Sequence, residues 1–277
     1  MRLCRLEVAG VPRWGVIEGE LVTPLATPPW DAVRRIGGAM PLATAKLLPP
    51  CEPTKIVAVG LNYRAHAAEM GKELPDEPLL FLKAPSSLLP PDGTVALPRQ
   101  SRRVEHEGEL ALVIGKTASR VKASEALEYV KGFTCLDDVT ARDIQRKEKV
   151  YARAKGFDTF CPVGPWLETE IPDAQDLDLE LRVNGAVRQK GSTADMIFPV
   201  AELVAFISHV MALFPGDLVT TGTPPGVGPL AAGDRVEVEI SRIGVLRHTV
   251  ASDRGPTASS SDRCSSRTKP PTSWRSP

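Results

Sequence analysis

Hydrophobic and polar positions alternate with period two through much of the first fifty residues. LCRLEVAG, RWGVIEGE and LVTPL predict short strands separated by Gly and Pro turns, and WDAVRRIGG predicts a short helix after them. The proline-rich LPPCEPT, residues 48–54, predicts a boundary between a small β-rich domain over 1–50 and a larger domain over 55–250. That larger domain opens with the strand KIVAVGLN. It runs into YRAHAAEMG, which is Ala-rich, bracketed by Gly60 and Gly71, and offers Asn62 as a cap. A loop-rich, proline-rich segment follows. Beyond it the pattern predicts a strand over VEHEGELALVIG, a short helix ASEALEYV, a strand GFTCLDD and a helix TARDIQRKEKV. DLELRVNGAVRQKG reads as a hairpin with Asn-Gly at its turn. PVAELVAFISHVMAL reads as an amphipathic helix, GDLVTTGTPPGVGPL as a strand and a Gly-Pro loop, and GDRVEVEISRIGVLRHTV as two closing strands.

One stretch raises a chemical question. In VEHEGELALVIG, residues 104–115, alternation sends Leu110, Leu112 and Ile114 to one side and Glu105, Glu107 and Glu109 to the other. Two glutamates at a same-face spacing of about 7 Å repel by roughly 2 kcal/mol at an effective dielectric near 20. A strand tolerates this if the charges are solvated, as on a guarded edge, if one is protonated, or if a cation lies between them. A further acidic pair, Asp137 and Asp138, ends the strand GFTCLDD. Carboxylates without a His or Cys partner form a hard-oxygen set, suited to Mg²⁺, Mn²⁺ or Ca²⁺ rather than Zn²⁺.

Composition narrows the function classes. The 277 residues are 42% apolar, and 34 Lys+Arg balance 34 Asp+Glu. Nothing in that balance favours nucleic acid or an anionic membrane. The five cysteines are scattered, odd in number and without C-x-x-C spacing, which points to reduced thiols in a cytoplasmic chain. The N-terminus lacks a signal-peptide apolar block, and no apolar stretch approaches the roughly 20 residues that cross a bilayer. GTPPGVG lacks the G-K-[ST] ending of a phosphate loop. Residues 251–277, rich in Ser, Pro and Arg, predict a disordered tail.

The blocks VGLNYRAHAAEMG, FLKAPSSL, HEGELALVIGK, LDDVTARDIQ, KGFDTFCPVGPW, VNGAVRQKGSTADMIF and GDLVTTGTPPGVG follow one another in an order that resembles the fumarylacetoacetate hydrolase family, over roughly residues 55–250. The likeness is to its short bacterial members: acylpyruvate hydrolases, oxaloacetate decarboxylases, and isomerases and decarboxylases of aromatic-compound catabolism. It implies an α+β, mainly β fold, a mixed β-sandwich roll with flanking helices and a small N-terminal β-unit, assembled as a homodimer. It also implies that Glu107, Glu109 and Asp138 ligate a divalent cation, Mg²⁺ foremost, with Glu105 outside the ligand set and solvated. His66 and Glu69, at i and i+3, would form a water-activating pair on a lid that is mobile without ligand. Lys155 would stabilise developing negative charge. Arg142, near the metal site, and Gln145 and Thr223 would contact substrate.

The expected substrate is a small 2-oxo acid with a second carbonyl or a carboxylate in β or vinylogous relation. Breaking the bond beyond C3 leaves an enolate, whose charge the metal offsets as a Lewis acid. Water delivered to the distal carbonyl gives hydrolytic C–C cleavage, and a distal carboxylate gives decarboxylation. Movement of a proton alone gives the alternative, an isomerase of the 2-hydroxyhepta-2,4-diene-1,7-dioate or 5-carboxymethyl-2-hydroxymuconate type. An inactive binding or scaffold relative is a further alternative. Asp137 stands where Asn is commoner, which predicts an extra negative charge near the metal. Ala65 and Ala212 replace a common Asp and Thr. His106 is expected to be structural, and His209 and His248 have no evident partner.

Overall fold

The computed structural model describes residues 1–30 and 32–253. In its first part, strands β1 (Arg2–Val8), β2 (Val11–Glu18), β3 (Leu21–Pro24), β4 (Met40–Pro41), β5 (Lys46–Leu48) and β6 (Ile56–Gly60) precede helix α1 (Arg64–Glu69). Next come β7 (Leu79–Lys83), β8 (Leu88–Leu89), β9 (Thr94–Leu97), β10 (Val104–His106), β11 (Gly108–Ile114), β12 (Val130–Asp137) and β13 (Thr140–Ala141). Helices α2 (Arg142–Glu148) and α3 (Ala152–Lys155) lead to β14 (Cys161–Glu168), β15 (Asp178–Val183) and β16 (Ala186–Ser192). Helix α4 (Val200–Val210), β17 (Leu218–Thr220), β18 (Gly228–Pro229), β19 (Arg235–Ile240) and β20 (Gly244–Ser252) complete the order.

Among the described residues the strands form three sheets, and the fold is α+β, mainly β, as expected. The largest runs β4-β3-β2-β1-β14-β12-β11-β17-β6-β7, with β5 against β1 and β8 against β14. It is mixed, since β17 pairs β6 in parallel while β11 and β12 are antiparallel. A five-stranded sheet, β16-β15-β19-β20-β9, packs against it. Strand β11 is buried on both faces. Leu110, Leu112 and Ile114 enter a core shared with Leu179, Leu181 and Val238 of the second sheet, while Ala111 and Val113 enter another with Leu3, Trp14 and Leu136. Where the sheets meet, a Cβ on Gly108 would lie 3.1 Å from Leu181 Cδ1, a tighter contact than most side chains make.

Local reading held for the hairpin. Asn184 (φ 53°) and Gly185 (φ 79°) both adopt left-handed backbone between β15 and β16, as a type I′ turn requires. It failed at WDAVRRIGG. Residues 32–39 contain no helix: Leu25 and Arg35 form a bridge, and Ile36 N–H donates to Pro24 O. A segment this short, flanked by Pro28-Pro29 and Gly37-Gly38, cannot repay helix nucleation, and strand contacts win. The strand expected over 104–115 is interrupted at Glu107. Strand β10 leaves the large sheet to join β13 and β18, while β11 continues in the large sheet. Ala251 and Ser252 close β20, paired with Ala96 and Leu97. From residue 254 the expected disordered tail lies outside the described residues.

Candidate active site

The interruption at Glu107 builds the site. Its N–H donates to the Asp137 carboxylate (2.7 Å) instead of a ladder carbonyl, and its carbonyl accepts from Asp138 N–H (2.8 Å). The strand end and the corner after β12 are thereby locked together. Glu107, Glu109 and Asp138, all buried, bring one carboxylate oxygen each within 4.8 Å of one another. They line a cavity of about 490 Å³ together with His66, Arg142, Gln145, Lys155 and Thr223.

Buried cations hold this cluster. Lys155 Nζ donates to Glu107 (2.8 Å) and to Asp138. Arg142 donates from Nε to Glu105 (2.6 Å), and its other nitrogens reach Gln145 (2.5 Å) and Glu107. Burial alone would raise the Glu107 carboxyl, but Lys155 and Arg142 hold it well below the usual range. Burial likewise opposes charge on Lys155, and Asp138 and Glu107 outweigh it, so its pKa is raised. Glu109 goes the other way. Burial, then the neighbouring charge of Asp138, push it well above the usual carboxylate value. It accepts hydrogen bonds from Thr220 Oγ1 and from Gly222 N–H (2.9 Å). Gly222 has φ 92°, and a Cβ there would lie 2.8 Å from Asn62 Cβ, so only glycine suits this donor. Glu105, Glu107, Glu109 and Asp138 are thus surrounded by four cations, Lys83, Arg103, Arg142 and Lys155. Three carboxylate oxygens converge there, and that donor set fits a hard divalent cation.

The His66–Glu69 pair is assembled. His66 Nδ1 lies 3.1 Å from Glu69 Oε2, His66 is buried, and Glu69 accepts from Gly226 N–H (3.0 Å). Gln145 and Thr223 reach the cavity wall. The Thr223 hydroxyl is already engaged, donating to Gly108 O (2.8 Å) and accepting from Gln189 Nε2 (2.7 Å).

Three expectations need correction. Glu105 is not solvated: it is buried between Arg103 (2.5 Å) and Arg142 (2.6 Å). Burial would raise its carboxyl, and the two arginines bring it below the usual range. Asp137 does not line the cavity. Its Oδ2 pairs with His248 Nε2 (2.8 Å), which supplies the partner that this histidine lacked on paper. Asn62 does not cap α1. Its amide donates to Phe198 O (3.1 Å) and Thr221 O (2.8 Å) and accepts from Phe198 N–H (2.8 Å), pinning the chain before α1 to the loop after β17. His106 is structural as expected, buried and bonded to Gln189 (3.0 Å).

Lys83 was missed. It is fully buried and donates to Asp138 Oδ1 (2.6 Å) and Lys155 O (2.6 Å). The available signal was a lysine closing the apolar run LLFLK just before Ala-Pro, a poor place for a free charge. The thiols of Cys4, Cys135 and Cys161 are buried and pushed up to about 12 by burial, so they are inert. Among the described residues no helix is long and apolar enough to cross a membrane.

Comparison with known proteins places the chain in a family. The family model for the fumarylacetoacetate hydrolase C-terminal domain matches residues 55–251, and one for the Rv2993c-like N-terminal domain matches residues 1–50. The chain is 40% identical to 2,4-didehydro-3-deoxy-L-rhamnonate hydrolase of a Sphingomonas species, over 91% of this chain and 96% of that protein. The crystal structure of 2-hydroxyhepta-2,4-diene-1,7-dioate isomerase from Mycobacterium marinum superposes with a TM-score of 0.86 at 40% identity, covering 92% of this chain and all of that one. Maleylpyruvate hydrolase from a Sphingobium species, solved with manganese(II) and pyruvate, superposes with a TM-score of 0.76 at 33% identity, covering 91% of this chain and 99% of that one.

Proposed function

The chain belongs to the fumarylacetoacetate hydrolase family, and from that premise we propose that it is a Mg²⁺-dependent enzyme cleaving a C–C bond in small 2-oxo acids. The observation that carries this is the convergence of Glu107, Glu109 and Asp138 in one cavity with an assembled His66–Glu69 pair. These three carboxylates would hold the cation, and Mn²⁺, present in the maleylpyruvate hydrolase structure, or Ca²⁺ suits the same oxygen set. When bound, the cation supplies Lewis-acid stabilisation of charge developing on the 2-oxo oxygen.

The chain's own groups supply the rest. Glu69 holds His66 through Nδ1, leaving Nε2 to accept a proton from water. The resulting hydroxide adds to the distal carbonyl carbon. As the bond from that carbon to C3 breaks, its electron pair becomes the C2–C3 enolate, and the distal fragment departs as a carboxylic acid. Protonation at C3 completes a 2-oxo acid product. Lys155, kept cationic by Asp138 and Glu107, contributes positive charge beside the enolate. With a carboxylate as the distal group, CO₂ departs and no water is needed. We rank hydrolysis ahead of isomerisation because both members of the base–orienter pair are present, while the same histidine would equally serve a proton transfer.

The test is turnover with Mg²⁺ on acylpyruvates, oxaloacetate and ring-opened aromatic diacids. It is paired with kcat/KM for the first two in wild type and His66→Ala. Acylpyruvate hydrolysis should fall on the order of 10²–10⁴-fold in His66→Ala, with oxaloacetate decarboxylation much less affected. Equal losses would withdraw the water-activating role.

A further inference from the structure

Glu107, one of the three converging carboxylates, lies between β10 and β11, outside both strands. Side chains hold the peptide groups on either side of it. Its own N–H donates to Asp137 Oδ1 (2.7 Å), and the Gly108 N–H donates to Gln189 Oε1 (2.9 Å). Glu107 and Gly108 are both buried, so each N–H needs such an acceptor. The direction in which the Glu107 side chain leaves the backbone therefore follows where Asp137 is held.

Asp137 is itself fully buried, and its second oxygen is fixed from the other sheet. His248, on β20, places Nε2 at 2.8 Å from Asp137 Oδ2. An ionised carboxylate only accepts, so Nε2 is the donor. His248 is buried too. It lines a separate cavity of about 630 Å³ with Asn184, Arg235 and Arg247, not the cavity in which the three carboxylates converge. It reaches that convergence through Asp137. An asparagine at 137 would offer Glu107 the same acceptor oxygen without a buried charge. The carboxylate adds a charge-assisted bond to His248, and with it a link between the two sheets.

We propose that Asp137 and His248 are positioning residues for the divalent cation. His248 fixes the Asp137 carboxylate, and Asp137 holds the Glu107 backbone so that its side chain meets Glu109 and Asp138. This rests on the cation reading above. Neither residue is a ligand; they act on the affinity for the metal by orienting one.

The test is the Mn²⁺ affinity of the full chain, measured by calorimetry and by loss of the free-ion electron paramagnetic resonance signal. His248→Ala should bind Mn²⁺ about 10–100-fold more weakly than wild type, as when a partner that orients a metal ligand is removed. His248→Asn, too short to reach Asp137, should repeat that loss and replaces His248→Ala if the alanine variant does not fold. His248→Gln, whose amide nitrogen falls near the Nε2 position, keeps a donor to Asp137 and should stay within about threefold of wild type. Leu246 lies two residues earlier on the same buried face of β20, in the apolar core. Leu246→Ala should lower the melting temperature and keep the Mn²⁺ affinity, which separates positioning from stability. Unchanged affinity without the His248 donor, an equal loss in Leu246→Ala, or no recovery in His248→Gln overturns the positioning role and leaves the cation site in place. Wild type that binds no Mn²⁺, or binding that Glu109→Gln does not weaken, overturns the cation reading and the positioning role with it.

Discussion

Glu109 and Asp138 belong to one cluster but should respond oppositely to loss of charge. Glu109 sits where burial and Asp138 raise its carboxyl well above the usual value. Glu109→Gln removes a charge that this environment disfavours and should leave the metal-free melting temperature unchanged or slightly higher. Asp138 anchors Lys83 and Lys155, both buried. Asp138→Asn leaves them short of a counter-charge and should cost about 3–5 kcal/mol. Thermal unfolding of both variants in the presence of a chelator checks this; a Glu109→Gln protein as destabilised as Asp138→Asn would contradict the assignment. These pairings also mark how far residues could be read in isolation. The glutamate ladder was visible because period two is a local property. Glu105 was misread because its partner, Arg142, lies 37 residues on. Lys83 went unread because its partner is 55 residues away.

Among the elements, the turn before β17 ties the proline-rich segment to the large sheet through one carboxylate. Asp217 accepts from Thr54 N–H (2.9 Å), Thr54 Oγ1 (2.7 Å) and Phe214 N–H (2.8 Å), and pairs with Lys55 Nζ (2.5 Å). Burial would raise its carboxyl, but these donors bring it below the usual value. A depressed folded-state pKa gives stability that is present above the unfolded value, about 3.9, and is lost as pH falls through the folded one. Asp217→Asn should therefore cost about 1–3 kcal/mol at pH 7. The gap in melting temperature from wild type should narrow below about pH 4, and a gap independent of pH would contradict the charge-based tether. Elements with strong local signals, such as the Asn-Gly hairpin and α4, were legible. WDAVRRIGG was not, because its outcome was set by strand contacts that propensity does not see.

At the scale of the whole molecule, the site is a meeting point of distant segments. Helix α1, the break between β10 and β11, the corner after β12, helices α2 and α3, and the loop after β17 each supply part of its wall. The residue types and the resemblance they carry could be read along the chain; their convergence could be seen only once the large sheet placed β11 between β12 and β17. The most direct test of that convergence is kcat/KM for an acylpyruvate, with Mg²⁺ and with chelator, in wild type and in Glu109→Gln shown to be folded. Wild-type turnover should require Mg²⁺, and Glu109→Gln should lose on the order of 10³-fold, as expected when a ligand to a Lewis-acid cation is removed. Turnover that persists in chelator, or that is undiminished in the variant, would contradict a metal centre at Glu107, Glu109 and Asp138.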